Sequence, residues 1–104
     1  MSDTGVYIIA NLVINDADEY LKYEKGFFPI LKKFSGEFLT FDDSHETFEG
    51  TDPLKGRVII FKFPSEQHAR DWYNDEDYQT LSEFRRAGTT LKALTLVHEI
   101  PSRN

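Results

Sequence analysis

Positions 6–14 (VYIIANLVI) are apolar on both alternating faces, with Val6, Ile8, Ala10, Leu12 and Ile14 on one and Tyr7, Ile9 and Val13 on the other. A β-branched run of this kind predicts a strand covered on both sides. Asn11 is its one polar interruption. From Asp16 the period lengthens. Ala17, Tyr20, Leu21, Phe27, Phe28, Leu31 and Phe34 recur at helical spacing, opened by an Asp16–Glu19 capping box and stopped at Gly36. Gly26 and Pro29 interrupt this stripe, and a kink is expected near Lys25–Pro29.

Two short strands are expected next, Glu37–Phe41 and Glu46–Glu49, turning at Asp42-Asp43-Ser44, with a loop from Gly50 to Gly56. Arg57–Phe63 (RVIIFKF) is a second strong strand, ended by Pro64-Ser65. Ser65 caps a helix over Glu66–Tyr73, and Asn74 or Asp75 caps another through Ala87, closed by Gly88. Leu91–Ile100 is the last strand. With the shortest strand, Glu46–Glu49, set aside, the order is β-α-β-β-α-α-β with a split second helix. That is a single α+β domain over residues 1–104, in the ferredoxin-like, split βαβ arrangement with an antiparallel sheet. Its helices cover only one sheet face. The other face carries Val, Ile and Phe, and a second copy across a two-fold axis is its simplest cover.

Charge narrows the partners. With 12 basic and 18 acidic side chains the formal charge is -6, and Lys32-Lys33 and Arg85-Arg86 are isolated pairs, so no nucleic-acid partner is expected. No apolar run approaches a membrane span, and the start Met1-Ser2-Asp3-Thr4-Gly5 lacks a signal-peptide pattern, so the expected location is the cytoplasm. The absence of cysteine excludes disulfides, thiolate metal sites and a cysteine nucleophile. Nine Phe, five Tyr and one Trp make 14% of the chain aromatic, which is ample for the interiors of two paired subunits.

Several residues carry candidate chemistry. Glu24 falls within the apolar stripe of the first helix, as a general base or ligand anchor, or else as a rim carboxylate or ion-pair partner. Arg85 lies seven after Tyr78 and four after Leu81, on the inward side of its helix, where it grips a ligand carboxylate or pairs with Glu24 or Glu49. Trp72, Tyr73 and Tyr78 flank the helix break and suit either a flat apolar ligand or the core. Asn11 is a candidate to polarise a substrate oxygen, or a structural hydrogen-bonder, and Tyr7 on the same strand face carries the same two readings. The three histidines, His45, His68 and His98, have no partner at metal spacing, so no metal is expected.

Tyr20-x-x-Tyr23, Phe34-Ser35-Gly36, Phe48-Glu49-Gly50, Phe63-Pro64-Ser65, Ala69-x-x-Trp72-Tyr73, Tyr78-Gln79 and Arg85 together resemble the family called domain of unknown function 1330, within the dimeric α+β barrel superfamily. The likeness runs from about Tyr7 to Glu99, and Ser35-Gly36 stands where the family usually shows Gly-Gly. The resemblance implies sheets packed face to face in a homodimer, and pockets between sheet and helices. It implies no activity. Superfamily members include cofactor-free monooxygenases, isomerases of small ring compounds, ligand sensors and heme-binding enzymes, whose axial His would here be His68. The expected function is binding of a small organic molecule, an acidic aromatic one among the candidates, in a site of Arg85, Trp72, Tyr78, Tyr20 and Tyr7. Glu24 and Asn11 would serve cofactor-independent oxygenase or isomerase-type chemistry. The alternative is a non-catalytic dimeric sensor or structural protein. No cofactor is assigned.

Overall fold

The computed structural model describes residues 4–101; Met1, Ser2 and Asp3, part of the segment read above as lacking a leader pattern, lie outside the described residues. The elements run β1 (Val6–Ile14), α1 (Ala17–Lys33), β2 (Glu37–Asp42), β3 (Arg57–Phe63), α2 (Glu66–Asn74), α3 (Glu76–Gly88) and β4 (Thr89–His98). The strands form one antiparallel sheet in the order β2-β3-β1-β4. This is the α+β, ferredoxin-like arrangement that the order of elements implied. None of the described helices is long and apolar enough to cross a membrane.

Alternation decides which residues face the helices. Val6, Ile8, Ala10 and Leu12 of β1 and Ile59, Phe61 and Phe63 of β3 are buried on that side, together with Tyr20, Tyr23, Phe27 and Leu31 of α1. The last four lie at i, i+3, i+7 and i+11, one stripe of a helix. Tyr7, Ile9, Val13, Val58 and Ile60 point to the opposite face and are only half-buried.

Local chemistry sets the helix ends. The Asp16 side chain accepts from the Asp18 and Glu19 backbone N–H groups, capping α1. The reciprocal half of the capping box is absent, because Glu19 accepts from Lys22 Nζ instead. At the other end Gly36 N–H donates to the Leu31 carbonyl and Ser35 N–H to that of Lys32, a Schellman closure. That closure puts Ser35 at φ 63°, a conformation glycine adopts without cost.

Three expectations shift. α1 runs for 17 residues with Pro29 inside it, so the interruption of the apolar stripe at Gly26 and Pro29 does not end the helix. Gly26 serves contact instead: a Cβ there would stand 2.7 Å from Leu81 Cδ1, so its absence lets α3 lie close on α1. Glu46–Glu49 forms no strand; Asp43 to Gly56 is a long loop held at its base, and Phe48 in it is 92% exposed. The last strand starts at Thr89 and ends at His98, two residues earlier than its hydrophobic run suggests at each end.

Candidate functional site

Between the sheet's covered face and helices α1 and α3 lies a cavity of about 170 Å³. The β-strands supply its apolar floor, Ala10, Leu12, Ile59, Phe61 and Leu94 among them. Tyr20, Tyr23, Glu24 and Phe27 enter from α1, and Tyr78 and Arg85 from α3. Tyr78, Ser82 and Arg85 recur at i, i+4 and i+7, so the inward stripe that anchors α3 also delivers its arginine to the cavity.

The deep end is formed by Arg85, Tyr23 and Tyr78, all buried. Arg85 is 4% exposed, and its guanidinium carbon stands 5.8 Å from the Tyr23 ring centre. Among the described residues it joins no ion pair, and its Nε has no hydrogen-bond partner. The Tyr23 and Tyr78 hydroxyls are 2.8 Å apart and bonded to each other. Burial pushes the Tyr23 phenol well above its ordinary value, with Tyr78 adding to the effect, so the Tyr23 hydroxyl keeps its proton.

The mouth is polar and paired. Arg57, at the first position of β3, donates from Nε and Nη2 to the two Asp43 oxygens at 2.8 and 3.0 Å. Its Nη1 reaches Glu24 at 3.4 Å, and its guanidinium stacks 4.5 Å from the Phe41 ring centre. Tyr20 beside it is raised to about 12, by burial first and by Glu24 second, with Arg57 opposing. The Asp43 carboxyl is held below the usual range by its hydrogen bond to Arg57.

The structure brings Glu24, Arg85, Tyr78 and Tyr20 to one cavity. It leaves three expected residues outside. Asn11 is buried with its amide donating to the Lys55 and Arg57 carbonyls at 2.7 and 3.1 Å; it ties the loop base to β1 and has no free donor for a substrate oxygen. Tyr7 faces the open side of the sheet, under Lys62 Nζ. Trp72 is core: it stacks on Tyr78 at 4.2 Å between ring centres and packs against Phe61 and Phe63, behind the cavity wall. It lines a separate groove, between α2 and β4. Phe28, expected in the core, is half-exposed and lines the cavity. His68 is held by Ser65 Oγ at the start of α2 and lines neither hollow. Among the described residues no three His, Asp or Glu side chains gather as metal ligands would.

Sequence reasoning missed Arg57 and Tyr23 as site residues. The signal for Tyr23 was available: it sits three after Tyr20 and four before Phe27, on the same stripe as both.

A family model described as a domain of unknown function (DUF1330) matches residues 5–100. No curated protein matches the chain. Among solved structures, a protein of unknown function from Rhodopseudomonas palustris is 14% identical with a TM-score of 0.74, over 98% of this chain and 85% of that one. SnoaB, a cofactor-independent oxygenase from Streptomyces nogalater, is 14% identical with a TM-score of 0.58, over 97% and 95%. A dimeric ferredoxin-like protein of unknown function from Thermobifida fusca is 13% identical with a TM-score of 0.50, over 93% and 91%. At these identities the likeness concerns the fold.

Proposed function

The chain belongs to the DUF1330 family, and from that premise we propose that it is a homodimer in which each subunit binds one small organic acid in the cavity between sheet and helices. The observation that carries the reading is Arg85, a buried cation with no carboxylate partner among the described residues, facing an aromatic cavity. Isolated buried charges are costly, and an anion entering the cavity supplies the missing partner. Size agrees: an apolar cavity of about 150 Å³ holds a benzene ring, and this one has about 170 Å³.

The dimer rests on the open sheet face. Ile9, Val13, Val58 and Ile60 form an apolar patch across the two central strands, and the Thermobifida fusca neighbour is described as dimeric. Ile60→Lys should convert a sedimenting dimer to monomer; a wild-type chain that sediments at 12.1 kDa when dilute would refute this part.

As for turnover, Glu24 is the one carboxylate among the described residues that lines the cavity, and a base there would suit cofactor-independent proton abstraction. A second reading, ligand sensing without turnover, is favoured by the engagement of Glu24 with Arg57. Calorimetric titration with benzoate and with branched aliphatic acids tests the binding proposal. One saturable site per chain, lost in Arg85→Leu, is expected; no heat from any acid would overturn it.

A further inference from the structure

Resting on that cavity reading, we propose that the Tyr23–Tyr78 hydroxyl pair joins Arg85 in a donor-rich subsite for a carboxylate, which restricts the cavity to ring-bearing monoanions. The argument is a count of hydrogens. Two phenols own two O–H hydrogens, and the 2.8 Å contact between them uses one. Neither hydroxyl has another side-chain or backbone partner among the described residues, so one hydrogen is uncommitted in a buried place. Arg85 adds its own unpartnered Nε–H. The deep end thus offers a cation and at least two free donors. Every carboxylate lining the cavity, which is Glu24 alone among the described residues, is drawn to Arg57.

A carboxylate fits these donors. The arginine fork suits its two oxygens, and the remaining phenol O–H completes an oxygen that the fork leaves under-bonded. The charge is specified as well. Arg57 is already more than matched by two carboxylates, Asp43 and Glu24, which leaves Arg85 as the positive charge of the cavity lining without a carboxylate partner. A dianion would carry one negative charge too many into an apolar space. The ring then lies against the wall that Phe27, Phe38 and Phe61 form, where the Phe38 and Phe61 ring centres stand 6.5 and 5.3 Å from that of Phe27.

The test is calorimetric titration of three probes that share one ring, benzoate, benzamide and toluene, against wild type and Tyr23→Phe/Tyr78→Phe. Wild type should prefer benzoate to either neutral probe by at least about tenfold, the worth of one hydrogen bond to a charged group. The double variant should lose about tenfold or more in benzoate affinity while keeping its affinity for toluene. Its unliganded melting temperature should fall by less than about 4 °C, because removing both members of a pair leaves no orphan. A larger fall with unchanged benzoate affinity would make the pair purely structural and overturn the proposal. Equal binding of benzoate and toluene by wild type would overturn it too, while leaving the cavity reading intact. Binding of none of the three would overturn both.

Discussion

Arg57 and Arg85 reach the same cavity from opposite sides, and the fold surrounds them differently. Arg57 begins β3, keeps 17% of its side chain exposed, and meets two carboxylates and the face of Phe41. Arg85 arrives from the interior of α3, is nearly sealed, and meets aromatic rings and hydroxyls. A charge with protein partners contributes to holding the chain together. One without them contributes nothing to folding and is retained at a cost, which points to a partner that comes from outside. The same side chain thus closes the mouth in one place and makes the deep end selective in the other.

The largest effect should come from exchanging that selectivity for packing. Arg85→Leu should weaken benzoate by at least about 30-fold, the loss expected when one member of a buried charge pair is truncated. The same change should leave unliganded stability in urea equal or higher, since it removes an unpaired buried charge. Arg57→Leu should show the converse: benzoate affinity within about threefold of wild type, and stability lower by about 1 kcal/mol. If the two variants behave alike, the contrast between the arginines fails. Acidity separates them next. Benzoate affinity should fall about tenfold per pH unit below the carboxyl's ordinary value near 4, as the acid loses the charge that Arg85 selects. The smallest effect is on folding. Asp43 is lowered from 3.8 by Arg57, so its stabilising contribution is complete above that value and is lost as pH falls through the lowered one. Acid unfolding of Arg57→Leu followed by circular dichroism should lack this portion of the slope.

The order of elements and the sheet's covered face are legible in the chain because both follow from periodicity, which β1 and α1 display without ambiguity. Arg85 is legible for the same reason, since its inward position follows from its spacing to Tyr78 and Leu81. What escapes is long-range. Arg57 reads as the polar end of a strand until a turn 14 residues earlier brings Asp43 beside it. Asn11 looks like a free donor in an apolar strand, and only the loop returning over β1 reveals two carbonyls waiting for its amide. Trp72 and Tyr78 share composition and neighbourhood, but stacking puts the first behind the second and leaves only the second on the cavity wall. The bulge where β2 skips a residue against β3, between Phe38 and Thr40, has no signature in the residues themselves.

The Asp43–Gly56 loop is fastened at its base: His45 bonds the Gly56 carbonyl, Asp43 holds Arg57, and Asn11 holds Lys55. No residue of this loop lines the cavity, so its deep end is built without it. The mouth and the acid grip are therefore independently variable parts. A change in the length or decoration of this loop reaches the cavity only through Asp43 and its grip on Arg57, and leaves the Arg85, Tyr23 and Tyr78 end as it stands.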